Sequence, residues 1–290
     1  MIRQSVGVRK AARPMVERPI ATLWIGESAD EQAAGEELAM ALRWAQERLQ
    51  VTTAASIADA CRLEPRYPAV ILLPLAWSGA IGEAELIRLS RRWPLAELVL
   101  VTGSAVDGRR RRGPALPGAV AVPWYELPGR IGQWCRQRRE GAGHPLGLPA
   151  TCRREDRLLA SVDSARVRRE HPGLEASVAA GSRRLLDAIE MLAVAAGVRV
   201  ASRVQGKPPL EAAGDLILWD AGYVDEAELE HLAELSGQKP HRPIVVFEAF
   251  PRGATARAVR EAGGTHLLGQ PLEADVLAET VRWAWEASQG

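Results

Sequence analysis

Two stretches of the chain carry the same signature at a fixed distance. AVILLP begins at Ala69 and DLILWD begins at Asp215, 146 residues later. ELVLVT from Glu97 and PIVVFE from Pro243 keep that spacing, and the pairs Leu38/Leu185 and Val51/Val198 stand 147 residues apart. Chance matches between apolar runs would scatter, so a nearly constant offset across separated regions means a duplicated unit. The 290 residues then divide into two copies of ordinary domain size.

Within each copy, apolar strands alternate with amphipathic helices. In the first copy the pattern predicts strands over 20–25, 51–55, 69–75, 98–102 and 119–122, with helices over 36–49, 57–63, 83–93 and 129–138. In the second it predicts strands over 174–179, 198–204, 215–219, 244–247 and 265–268, with helices over 183–196, 226–235, 254–262 and 274–287. Strands that are apolar throughout and set between helices indicate a parallel sheet covered on both faces. The expected fold is α/β: two flavodoxin-like (βα)5 domains with parallel sheets of order 2-1-3-4-5. The domains are expected over 19–138 and 174–290. Residues 1–18 read as a flexible tail. Residues 139–173, rich in Arg, Gly and Pro, read as a linker with a helix over 156–169.

Composition removes several classes of function. Lys plus Arg is 37 against 36 Asp plus Glu, a net charge of +1, so no global field draws the chain to nucleic acid or acidic lipid. The three cysteines, Cys61, Cys135 and Cys152, form no spaced set, which points to a reducing compartment and away from zinc. No apolar run reaches the ~20 residues of a membrane span, and the basic start lacks the apolar core of a secretory signal. A cytoplasmic location is expected. No Gly-rich phosphate loop follows a strand, and no aromatic residues interleave with basic ones as in RNA-binding sheets. His144, His171 and His241 lack carboxylates or cysteines at ligand spacing. His266, within THLLG, reads as a partly buried histidine bonded to backbone.

The segment PIVVFEAFPRGATARAVREAGGTHLLGQPLEADVLAETVRWAW has a Pro-led apolar strand, a helix ending Ala-Gly-Gly, a short strand, then x-Pro and a closing helix. It resembles the C-terminal half of bacterial response-regulator receiver domains. DLILWD resembles that family's third strand, which ends on the phosphorylated aspartate, here Asp220. The resemblance covers about 174–287 and, more faintly, 19–138. It implies a site in which an acidic pair after strand one holds a metal ion that neutralises developing charge. A Thr or Ser after strand four and a Lys after strand five bind the phosphoryl oxygens. In the second copy the acidic pair is replaced by Ala179 and Ala180, the Thr position is Glu248 and the Lys position is Gln270. Glu248 would repel a phosphoryl group, and Gln270 supplies a hydrogen bond without charge. In the first copy Pro74 stands at the acceptor position, Thr102 at the Thr position, Glu27 at one member of the acidic pair, and Trp124 near the Lys position. The resemblance therefore implies the fold and descent of a receiver with a degenerate site. No metal or other cofactor is expected.

The leading reading is a non-catalytic signalling or scaffold protein. Its two pseudo-receiver domains would act by protein–protein interaction with other signalling proteins or with each other. The alternative is a stand-alone response regulator phosphorylated on Asp220. An enzyme of flavodoxin-like fold is a third class, but no nucleophile–base pair or cofactor fingerprint supports it. Four consecutive arginines, Arg109, Arg110, Arg111 and Arg112, sit between Gly108 and Gly113 on an expected loop. That loop could meet an anion or an acidic partner, although a solvated loop is the plainer reading in a chain of balanced charge. The closing helix ADVLAETVRWAWEA places Val276, Thr280 and Trp283 on one stripe and Leu277, Val281, Ala284 and Trp285 nearer another. A helix on one face of a sheet buries one stripe in its own core. Trp283 is thus expected to face outward, against the other domain, the linker or a second chain.

Overall fold

The computed structural model describes residues 19–26, 33–63, 67–76, 81–106, 118–140 and 173–289. The tail expected over 1–18 and the helix expected over 156–169 lie outside the described residues. So do Glu27 and the four loop arginines, Arg109, Arg110, Arg111 and Arg112.

The first copy comprises β1 (Ala21–Ile25), α1 (Ala33–Arg48), β2 (Gln50–Ala54), α2 (Ile57–Arg62), β3 (Val70–Leu75), α3 (Glu83–Arg92), β4 (Glu97–Thr102), β5 (Ala119–Pro123) and α4 (Leu127–Glu140). The second comprises β6 (Glu175–Ala180), α5 (Arg183–Ala195), β7 (Arg199–Gln205), β8 (Leu216–Gly222), α6 (Glu226–Gln238), β9 (Ile244–Glu248), α7 (Gly253–Glu261), β10 (His266–Gly269) and α8 (Ala274–Ser288). Each forms its own five-stranded sheet, in the orders β2-β1-β3-β4-β5 and β7-β6-β8-β9-β10, and every pairing is parallel. This is the expected 2-1-3-4-5 order, twice.

Local chemistry sets the helix starts. Ser182 caps α5 by accepting from the Leu185 N–H at 3.3 Å, and Asp225 caps α6 by accepting from Ala227 N and Glu228 N at 2.8 and 3.2 Å. The strand period of two sorts side chains between the layers. In β3, Ile71, Leu73 and Leu75 join Leu86, Leu89 and Trp93 beneath α2 and α3, whereas Val70 and Leu72 join Trp24, Leu38 and Ile131 on the opposite face.

That opposite face is where the second copy docks. One apolar cluster runs from Leu38, Trp124 and Ile131 of the first copy to Leu267 and Trp283 of the second. The two closing helices, α4 and α8, lie side by side. Arg130 pairs with Glu273 at 2.8 Å, and six residues further along each helix Arg136 pairs with Glu279, so the helices run parallel. Their approach is close because Gly129 and Gly132 present no side chains. A Cβ on Gly129 would lie 2.6 Å from the Val276 carbonyl oxygen, and one on Gly132 would lie 2.9 Å from the Glu279 Cβ. At the other end of the contact, the buried Glu37 carboxylate on α1 accepts from the Ser104 N–H at 2.6 Å in its own unit. It also accepts from the Gly253 N–H at 3.1 Å, at the start of α7. A carboxylate suits a helix N-terminus, whose first N–H groups have no intrahelical partner. Arg252 donates to the Ser104 hydroxyl at 3.1 Å, and the pairs Arg257–Glu36 and Arg48–Glu286 close the rim.

His266 sits inside this contact. Its ring stacks on Trp44 at 6.2 Å and meets Trp283 edge-on at 6.2 Å. Both ring nitrogens are buried and neither has a hydrogen-bond partner, so the backbone bond expected for it is absent. The reason is tertiary: β10 carries the ring between aromatic side chains that offer no acceptor. Burial, reinforced by the Arg260 charge, lowers its pKa to about 4.

Two outcomes follow for the docked helices. Glu279→Ala should cost up to about 3–5 kcal/mol, because it removes the carboxylate of the buried Arg136–Glu279 pair, and Gly129→Ala should cost about 1–3 kcal/mol by forcing the helices apart. Denaturant melts check both. For His266 the folded pKa lies below the ordinary value, so its contribution is present above about pH 6.5 and is lost as pH falls toward 4. Its ceiling is on the order of 3 kcal/mol. The stability of His266→Phe should fall less steeply than that of the parent over that window.

Candidate functional site

In this topology a ligand site lies at the carboxyl ends of the strands. In the second copy β8 brings Asp220 there, opposite Ala180 on β6 and Phe247 on β9. The Asp220 side chain is 4% exposed. One oxygen accepts from the Gly222 N–H at 3.0 Å, and the other is buried without a hydrogen-bond partner. Burial raises its pKa, against the Gly222 N–H and the Gln270 side chain, which pull the other way. Glu248 ends β9. One of its oxygens accepts from the Val224 N–H at 3.3 Å and the other is buried without a partner. Burial raises its pKa too, opposed by that N–H and by the Arg252 charge. For both carboxyls the largest cause is desolvation, not a second negative charge.

The structure therefore places Asp220, Glu248 and Gln270 on the ends of β8, β9 and just beyond β10. Ala179 and Ala180, both fully buried, stand where the resemblance implies an acidic pair. A magnesium ion requires oxygen ligands in a near-octahedral array. Two methyl groups supply none, and the free oxygens of Asp220 and Glu248 are sealed from solvent, so this donor set does not fit the ion. Among the described residues no group of three or more His, Cys, Asp or Glu could hold a metal. A carboxylate nucleophile must also reach its phosphoryl donor, and a side chain sealed in this way is poorly placed to do so.

The first copy is closed differently. The half-buried Pro74, at the acceptor position, packs against the end of β1: a Cβ on Gly26 would lie 2.5 Å from the Pro74 Cγ, and Gly26 has φ 149°. Only a residue without a side chain fits there. The buried Thr102 turns its hydroxyl to the Val122 carbonyl at 3.5 Å, and Trp124 is fully buried with its ring stacked on Trp44. The anion or acidic-partner contact weighed for Arg109, Arg110, Arg111 and Arg112 falls on a segment outside the described residues.

Trp283 lies on the first unit. It is 8% exposed, with the Arg48 guanidinium 4.9 Å from its ring centroid. Leu277, Val281 and Ala284 fill the core of the second unit. The residues missed by pattern reading are the docking set, Glu37, Gly129, Gly132, Arg136 and Glu279. Two signals could have found part of it. GRIGQW puts two glycines three apart within a helix, each costing about 1 kcal/mol relative to alanine, and Glu37 sits beside Leu38 amid the apolar stripe of α1.

The raised pKa values have a testable sign. A carboxyl with a folded pKa above its ordinary value contributes most below that ordinary value, and the contribution is lost as pH rises through the folded pKa. Asp220→Asn and Glu248→Gln should each raise Tm at pH 7 relative to the parent. The gain should shrink toward zero as pH is lowered to about 4, which melts across a pH series would read directly.

No protein-family model matches the chain, and no curated protein matches it. Solved structures do. A pilus assembly protein from Burkholderia thailandensis is 24% identical over 39% of this chain and 98% of its own, with a TM-score of 0.36. A pilus assembly-related protein from Burkholderia pseudomallei is 21% identical over 39% of this chain and 90% of its own, with a TM-score of 0.35. A response regulator receiver domain protein from Clostridium thermocellum is 15% identical over 40% and 97%, with a TM-score of 0.34. Each match takes in about the length of one copy. By its own strand order and element sequence, the chain is a tandem of two flavodoxin-like (βα)5 units.

Proposed function

We propose that this chain is a non-catalytic signalling scaffold. Its two pseudo-receiver units are fused into one body that works by contact with other signalling proteins and not by phosphoryl transfer. The observation that carries this reading is the state of Asp220. The one acceptor-type residue that survives is sealed from solvent, and alanines stand where metal ligands would be needed. The closure of the first unit by Pro74 supports it, because proline cannot take up a phosphoryl group. The docking of the two units also suits a platform. Among the described residues no helix is long and apolar enough to cross a membrane, and we place the chain in the cytoplasm on its cysteine usage.

The competing reading is a response regulator phosphorylated on Asp220. Incubation with acetyl phosphate and magnesium, followed by intact-mass measurement, separates the two. We expect no added phosphate. A mass gain that disappears in Asp220→Asn would replace the scaffold reading with the regulator.

A further inference from the structure

The first unit docks through α1 and α4, which leaves α2 and α3 on the far face of its sheet. There α3 buries Leu86 and Leu89, with Trp93 following, in its own core. Its outward stripe, by helical spacing, carries Ile87, Arg88 and Arg91. Ile87 is 43% exposed, and Leu95, in the turn that leads from α3 into β4, is 60% exposed. Tyr67, 84% exposed, precedes β3 and lies beside that turn, because the Glu97 N–H bonds the Ala69 carbonyl at 2.9 Å. Arg92 lies over the Trp93 ring at 5.5 Å. Among the described residues Arg88 and Arg91 make no ion pair, and the acidic residues of α3, Glu83 and Glu85, are confined to its first turn. Three guanidinium groups and three large apolar side chains are thus exposed on α3 and the turns beside its C-terminal end, and no carboxylate of α3 lies at that end of the helix.

We infer that this surface, Tyr67, Ile87, Leu95 and the arginines 88, 91 and 92, is a docking site for an acidic, apolar-containing segment of a partner protein. Charge decides the partner's chemistry. Guanidinium groups bind carboxylates in a planar, two-point geometry, and exposed apolar groups set among them give such a segment something to bury. A lipid surface fits less well. A helix that lies in a membrane turns one apolar face to the lipid and its charges away from it. On α3 the apolar face is already committed to the protein core, and Ile87 shares its stripe with arginines. The inference rests on the scaffold reading in one respect, that the chain acts by contact. It names the surface and the partner class.

The test uses the full chain and a fluorescein-labelled short helical peptide with leucines on one face flanked by glutamates, at about 0.15 M salt. A second peptide with lysine at every glutamate is the control. The parent should bind the acidic peptide and not the lysine peptide. Charge reversal at the three arginines, R88E/R91E/R92E, should weaken binding about tenfold or more, and Tyr67→Ser with Leu95→Ser should weaken it too. All five positions are on the surface, so circular dichroism should be unchanged and the melting curve should shift only by the small cost of acidic residues in the last turn of α3. Equal binding by parent and charge-reversed protein, or no binding of the acidic peptide, overturns the inference. Phosphatidylglycerol vesicles that co-sediment the parent but not the charge-reversed protein would overturn it in favour of a membrane. Self-association abolished by charge reversal would overturn it in favour of a second copy. Phosphorylation of Asp220, by contrast, would sink the scaffold reading and leave this surface standing, because the two lie in different units.

Discussion

The approach of α4 to α8 governs the molecule. Gly129 and Gly132 remove the side chains that would hold the two helices apart, and the Arg136–Glu279 pair fills the space beyond them. A buried ion pair gains little over an apolar pair of the same size, because both charges must be desolvated. What it adds here is register. Only one axial offset sets Arg136 on Glu279 while setting Arg130 on Glu273. Fixed in that register, the helices carry His266 between Trp44 and Trp283, and bring the start of α7 to the Glu37 carboxylate.

The degenerate site shows the same economy of fold over chemistry. The 2-1-3-4-5 topology requires only that the strand ends meet, and they do. Packing fills them where the resemblance implies ligands. Ala179 and Ala180 extend the apolar interior of β6 to its last residue, and Pro74 closes on Gly26. Glu248 spends one oxygen on the N–H of Val224, which ties the end of β9 to the loop after β8. Two carboxyls held out of water with raised pKa values favour their neutral forms.

Much of the fold could be read in the sequence, because the central strands are continuous apolar runs and the duplication shows the β3/β8 and β4/β9 runs twice. The positions of Asp220, Glu248, Gln270 and Pro74 near strand ends were legible for the same reason: a polar residue or proline marks where the apolar run gives out. The docking was legible only in fragments. Trp283 was marked by its helix, since one helix cannot bury two stripes in one core. Glu37 was not marked, because a carboxylate on an apolar face makes sense only beside the N–H groups it serves, and those of Gly253 lie in the other copy, 216 residues away. The hydrogen bond expected of His266 fails for a related reason. A local pattern predicts burial, but it cannot show that the neighbours are tryptophans lacking an acceptor. Arg109, Arg110, Arg111 and Arg112 form the sharpest charge cluster in the sequence, whereas the structure draws attention to arginines spaced along α3.

Because both partners in the docked pair belong to one polypeptide, each sees the other at an effective concentration on the order of millimolar. The α4–α8 contact need not be strong enough to hold two separate chains together at cellular abundance. It can stay closed although part of it, beside the apolar cluster of Trp124, Ile131, Leu267 and Trp283, is glycine, rim charge and a desolvated ion pair. That frees its sequence to drift toward polarity, and it makes the interface conditional on covalent continuity. A cut between Glu140 and Gly173 would turn an intramolecular contact into a dilution-sensitive equilibrium without altering a single residue of the interface.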